Sequence, residues 1–342
     1  MKKIILICIS LSLFIIFISL YEEKQKNKIH PIQENINSKS EPKEEQLELP
    51  KITNDIPHHL SYQETVEQLK TWEKEAKDFV KVFSYGSSTK GNDLYCAIVS
   101  NKKSKKTKDK VLVTSCIHGN EPWSAGTMMA LIGNLLKTYE NENESKETLD
   151  TKEIYFIPIV SPDSYPSSRY VDGVDPNRNF PKDSNSKKIS VKPVKELQKL
   201  FLEIQPKVAI SGHTFGRSFL YPYGDTNNVC ENDSDYKTIL KKMQELSGYS
   251  ILKTSKNYGY PIFGTEVDWY YRNGCLSLVV EFGTHQIKPT HEQIKSEHNK
   301  TKLALLHFIN AGCKVTVKRN VNKDDSIEKE DAENINLSET GP

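Results

Sequence analysis

Two short segments, His118-Gly-Asn-Glu121 and Ser211-Gly-His213, constrain this chain more than any other feature. Each follows an apolar run with strand character, Val111 to Cys116 before the first and Val208 to Ser211 within the second. The first segment sets a histidine and a carboxylate three residues apart. The second adds a lone histidine in a Gly/Ser turn. Two imidazoles and one carboxylate are the ligand set of a zinc site that leaves a coordination position open for water, and an open position separates catalytic from structural zinc. Segments about ninety residues apart can share one ion only if the fold brings the ends of their strands together.

The rest of the pattern suits such a fold. Ser61 to Phe79 has helical spacing, with Ser61 and Glu64 as a capping box. Val80 to Tyr85 and Leu94 to Val99 read as strands joined through a Gly/Ser/Thr turn, Ile154 to Val160 as a further strand, and Leu276 to Glu281 as a very apolar strand. Pro122 suits the first turn of a helix running to about Tyr139. Helices are also expected over Val191 to Glu203, Tyr236 to Ser247 and His291 to Ala311. Buried strands alternating with helices predict an α/β sandwich on a mostly parallel or mixed sheet. In open sheets of this kind ligands bind beyond the carboxyl ends of the strands, where His118 and His213 fall.

Four segments are expected: an N-terminal signal or anchor (1–21), a polar linker (22–58), a catalytic-type domain (59–315) and a charged tail (316–342). After Met1-Lys2-Lys3, the run Ile4 to Leu20 is uncharged and mostly apolar, near the lower limit for spanning a bilayer. No A-x-A cleavage site follows, which favours an uncleaved anchor over a cleaved signal peptide. The paired lysines hold the N-terminus in the cytoplasm and leave the remainder outside it. Cleavage would instead make the protein secreted or periplasmic. The linker and the tail are too polar to bury a core. The net charge of +2 gives no support to nucleic-acid binding. Six scattered cysteines without a C-x-x-C pair argue against a cysteine zinc site and read as buried thiols, with at most one or two disulfides.

A His-x-x-Glu pair is weak by itself, because a surface histidine near a helix start looks the same. A single histidine such as His213 is more often structural than a ligand. The neighbours strengthen both. The chain has only five arginines, and one stands in Asp175-Pro-Asn-Arg-Asn-Phe180, where Asn177 and Arg178 could clamp a carboxylate through the guanidinium fork and an amide. Glu281 ends the run Leu-Ser-Leu-Val-Val. A carboxylate there is costly unless paired, hydrogen-bonded or put to work. It is either a general base beside a metal-bound water or half of a buried salt bridge.

These segments resemble the M14 zinc carboxypeptidase family. His118-Gly-Asn-Glu121 matches its H-x-x-E, Asp175 to Phe180 its N-R-N-[FW] element, and Leu220-Tyr-Pro-Tyr-Gly224 the stretch after the third ligand. Tyr260, eight residues before Asp268-Trp269, is similar to the mobile substrate-binding tyrosine, and Glu281 in Val-Val-Glu-Phe-Gly to the catalytic glutamate. Gly86-Ser-Ser-Thr-Lys-Gly91 resembles the early hairpin. The motifs run in family order from about residue 60 to 311.

The resemblance implies a single domain with a mixed central sheet of about eight strands flanked by helices. It implies one Zn2+ held by His118, Glu121 and His213, with Glu281 as general base. Arg169 is the candidate for stabilising the oxyanion, although its loop is shorter than in the digestive enzymes. Asn177, Arg178 and Tyr260 would bind the terminal carboxylate of a peptide or protein. Leu220, Gly224, Ile262, Val267 and Val279 would line the side-chain pocket, with Val267 at its base. That favours apolar or aromatic C-terminal residues, whereas a one-residue shift would bring Glu266 to the base and reverse the preference. Asp268 reads as structural. The alternatives are a peptidase acting on murein stem peptides, an amidohydrolase for N-acyl amino acids, and a catalytically dead peptide-binding module. Oligomeric state is left open.

Overall fold

Eight strands form one mixed sheet in the order β1-β2-β4-β3-β5-β8-β6-β7. The strands are β1 (Val80–Ser87), β2 (Asp93–Val99), β3 (Asp109–Ser115), β4 (Lys152–Ile157), β5 (Val208–Thr214), β6 (Ser218–Tyr221), β7 (Ser250–Lys253) and β8 (Leu276–Phe282). The computed structural model describes residues 47–50, 52, 60–181, 189–285 and 288–319. The apolar run Ile4–Leu20, most of the expected linker and most of the expected tail lie outside the described residues. Among the described residues, no helix is long and apolar enough to cross a membrane.

The four central strands, β4, β3, β5 and β8, run parallel and are buried on both faces. That explains their near-continuous apolar runs. Alternation still sorts their side chains. Val111 and Val113 of β3 face one hydrophobic cluster while Leu112 between them faces another. The first cluster is covered by α2 (Pro122–Thr138), α5 (Asp233–Ser247) and α8 (His291–Gly312), through residues such as Leu131, Leu135, Leu240 and Phe308. The second is covered by α4 (Lys192–Ile204) and α7 (Glu266–Arg272). There Phe201 stacks on Tyr270 with ring centroids 4.8 Å apart.

The expected capping box closes the first turn of α1 (Tyr62–Glu75): the Glu64 amide donates to Ser61 Oγ and the Ser61 amide to the Glu64 carboxylate. Five short elements had no clear signal in the chain. β6 and β7 have four residues each and extend the sheet beyond β8. Helix α7 spans seven residues, too few for a hydrophobic period to show. Helices α3 (Asn143–Thr151) and α6 (Thr254–Tyr258) are similarly short and polar. Leu47, Leu49 and Ile52, upstream of the expected domain boundary, lie against the core. Cys96, Cys116, Cys230, Cys275 and Cys313 are all buried free thiols. Burial pushes the Cys116 thiol up to about 12, so it is inert.

Candidate metal centre and substrate cleft

His118 sits in the turn between β3 and α2, and Glu121 is the residue that caps α2. The turn needs glycine at 119, because a Cβ there would lie 2.4 Å from the Ser164 backbone. The Glu121 side chain makes no cap bond to its own helix. It turns inward instead, with Oε1 2.8 Å from His118 Nδ1 and Oε2 2.9 Å from His213 Nδ1. The Thr214 amide donates to Oε2 at 3.3 Å. His213 comes from β5, adjacent to β3 in the sheet. All three side chains are buried, and their ligand atoms lie within 4.8 Å of one another.

The far nitrogens fix the rings. His118 Nε2 is 2.9 Å from Asp175 Oδ1, and His213 Nε2 is 3.0 Å from Glu266 Oε1. Each Nε2 can donate to its outer carboxylate, which leaves Nδ1, on the Glu121 side, as the nitrogen each ring would offer to a cation. The residues therefore fit a divalent cation: two imidazole lone pairs and a carboxylate converge, and the acids Glu121, Asp175, Glu266 and Glu281 outnumber the guanidiniums of Arg169 and Arg178. Burial would raise the Glu121 pKa, but His213 and His118 pull it down to about 2. Burial likewise opposes charge on Asp175, while the hydrogen bond from His118 and the charges of His118, Arg169 and Arg178 hold it far below the usual carboxylate range.

Glu281 stands directly across from His213 in the parallel register of β5 and β8. It is 6% exposed, and no hydrogen bond or ion pair ties its carboxylate to another described residue. The salt-bridge alternative is thereby removed for the described part of the chain. Burial lifts its pKa to about 7, against the pull of His213 and with a further push from Glu121.

The expected site residues gather around this centre. A cavity of about 50 Å³ is lined by His118, Glu121, Arg169, Asn177, Arg178 and His213, together with Leu220, Ile262, Val267, Val279 and Glu281. A larger cavity of about 380 Å³ lies elsewhere, against Ser61, Tyr62 and Tyr165, and holds none of these groups. Arg169 Nε donates to Asp175 Oδ2 at 2.9 Å, and its Nη1 lies 3.9 Å from Glu121 Oε1. Arg178 Nη1 donates to the Asn177 carbonyl at 2.7 Å. Asn177 is more committed than the sequence suggested, since its Oδ1 accepts from the Glu266 amide at 2.8 Å. Its Nδ2 lies 3.3 Å from His213 Nε2.

Leu220, Val267 and Val279 form a buried apolar cluster of their own. Val267, not Glu266, faces the cavity; Glu266 points to His213. Asp268 accepts from the Gly224 and Asp225 amides at 2.9 to 3.1 Å and so braces the pocket wall. Gly264, at φ +72°, packs where a Cβ would meet the Arg178 carbonyl at 2.5 Å, which locks the loop before α7 onto the Asn177-Arg178 turn. Tyr260 is 62% exposed and lies outside the cavity lining. Two residues with direct contacts to the histidines, Asp175 and Glu266, had no such role in the sequence reading, where Glu266 entered only as the alternative pocket base. Asp175 stood beside a recognised motif, but nothing in the chain pairs Glu266 with His213, 53 residues away.

The fold is that of the peptidases whose family description is zinc carboxypeptidase, and the chain belongs to that family, whose model matches residues 65–304. It is 25% identical over 297 residues to mast cell carboxypeptidase A of Homo sapiens, covering 72% of this chain and 67% of that protein. A zinc carboxypeptidase of Saccharothrix mutabilis subsp. capreolus is 25% identical over 274 residues, 64% of this chain and 61% of its own length. The chain thus spans about two thirds of these relatives. Among solved structures, thrombin activatable fibrinolysis inhibitor superposes with a TM-score of 0.68 at 20% identity, over 75% of each chain, a likeness of fold.

Proposed function

We propose that this chain is a zinc-dependent carboxypeptidase that removes C-terminal residues from peptides or proteins. The observation that carries the reading is the placement of a buried carboxylate, Glu281, unpaired among the described residues, across from His213 beside an inward-facing His118/Glu121/His213 cradle. His118 and His213 through Nδ1, with Glu121, would hold the zinc, which when bound supplies a Lewis acid and an acidified water. Glu281, ionised, takes a proton from the attacking water and delivers it to the leaving amine. Arg169 donates to the developing oxyanion from within the same cavity, a role that suits a preorganised cation in a dry site. Arg178, with Asn177, grips the terminal carboxylate, and Tyr260 meets the substrate from the solvent side.

The apolar group Leu220, Val267 and Val279 receives the terminal side chain, which favours apolar or aromatic residues. Tyr170, Phe215, Tyr260 and Phe263 are exposed aromatics on the loops that carry these groups, a surface suited to the rest of a peptide. Export, with Ile4–Leu20 as membrane anchor and the catalytic domain outside the cytoplasm, completes the proposal.

The test uses the purified full chain. It should hold about one zinc per chain and release C-terminal residues from free-acid peptides in a zinc-dependent way. Amidating the same peptides removes the charge that Arg178 grips and should slow release strongly. Equal rates on acid and amide would rule out the exopeptidase reading. Murein stem peptides assayed alongside show whether the substrate is a wall peptide instead.

A further inference from the structure

Glu266 is a buried acid that the reaction outlined above does not use. It is 1% exposed and opens helix α7. A carboxylate so placed is destabilising unless its oxygens are satisfied, and here both are. Oε1 lies 3.0 Å from His213 Nε2. Oε2 accepts from Thr114 Oγ1 at 3.2 Å and from Tyr270 Oη at 3.3 Å. The Glu266 amide donates to Asn177 Oδ1 at 2.8 Å. The group is thus held from β3, from its own helix and from the Asn177 turn, and Oε1 faces His213.

The arrangement repeats what Asp175 does for His118 at 2.9 Å. The two imidazole rings sit 5.1 Å apart at 62°, each pinned from outside by a carboxylate and each turned with Nδ1 towards Glu121. We infer that Glu266 is a positioning residue of the metal centre, a second buried carboxylate that sets the tautomer and ring angle of His213. The inference rests on the reading that His118, Glu121 and His213 hold zinc. It also assigns adjacent residues of α7 to separate tasks, Glu266 to the metal ligand and Val267 to the side-chain pocket.

The experiment compares full-length wild type with Glu266→Gln and Glu266→Ala. Zinc affinity is measured by competition with a chromophoric chelator, kcat and KM on one free-acid peptide, and the melting temperature of the zinc-free protein. Outer carboxylates of this kind are worth roughly 10- to 100-fold in metal affinity. Glutamine keeps an acceptor for His213 Nε2 but loses the charge, so about a tenfold loss is expected for it and a larger one for alanine, with kcat falling and KM little changed. If alanine fails to fold, the nearly isosteric glutamine variant decides. Variants that lose melting temperature but bind zinc as tightly as wild type would show Glu266 to be only a packing residue. If wild type itself binds no zinc, the metal-site reading falls and this inference with it; wild-type zinc binding with unchanged variants overturns this inference alone.

Discussion

Replacing Val267 by aspartate asks the side-chain pocket directly what it accepts. Val267 is 1% exposed and packs with Leu220 and Val279, and Ile262 lines the same cavity. Among the described residues, the acids flanking Val267 are committed elsewhere, and Glu281 of the same cavity stands across from His213 and outside the Leu220, Val267 and Val279 group. Glu266 is tied to His213, Thr114 and Tyr270, and Asp268 accepts from the Gly224 and Asp225 amides. A lysine or arginine side chain entering the wild-type pocket would bury its charge unpaired, at a cost of about 3 kcal/mol or more. At about 1.4 kcal/mol per decade that is roughly a hundredfold in kcat/KM against basic residues. Aspartate is close to valine in volume, so Val267→Asp supplies the missing partner without overfilling the pocket. The empty variant leaves a carboxylate buried without a partner and should lose about 1–3 kcal/mol of stability. The assay is competitive hydrolysis of four peptides that differ only in the last residue: Phe, Leu, Lys or Arg. Wild type should prefer the apolar pair, and the variant should shift the ratio towards the basic pair by about two decades. Faster release of Lys and Arg by wild type would refute the reasoning, because an acid would then have to reach the pocket. An unshifted ratio in the variant would show that Val267 is not at its base.

Glu281→Gln should lower turnover at least about a hundredfold, the usual worth of a general base, while zinc is retained; near-normal turnover would remove Glu281 from the reaction. Because Glu281 works only when ionised and burial lifts its pKa to about 7, wild-type kcat/KM should fall on acidification below neutrality. A bound cation moves that limb to lower pH, and Glu281→Gln should abolish it in the residual activity; a limb that persists unchanged belongs to another group. Gly119→Ala places a Cβ 2.4 Å from the Ser164 backbone. It should destabilise the protein by roughly 1–3 kcal/mol and weaken zinc retention, as chemical denaturation and metal analysis would show; an unchanged midpoint would mean the turn yields easily.

Where strands and helices recur with a strong period, the chain announced them. The buried runs at 111–116, 208–211 and 276–281 are apolar because both faces of a parallel strand are covered, and that signature needs no partner to be read. The capping box at Ser61 and Glu64 is likewise a contact between near neighbours. The candidate metal ligands are legible as types and as order, since a histidine and a glutamate three residues apart at a strand end satisfy a local geometric demand.

What the chain alone left open depends on contacts between distant segments. The register that sets His213 across from Glu281 is a property of two paired strands, not of either one. The short β6, β7 and α7 exist because β8 and the apolar pocket hold them, and four to seven residues carry too little periodicity to show it. The difference between Glu266 and Val267 is one step along a helix turn. In the sequence they are adjacent and interchangeable as pocket residues. Only the direction in which α7 enters the site sends the carboxylate to His213 and the isopropyl group to the cavity beside the candidate metal centre.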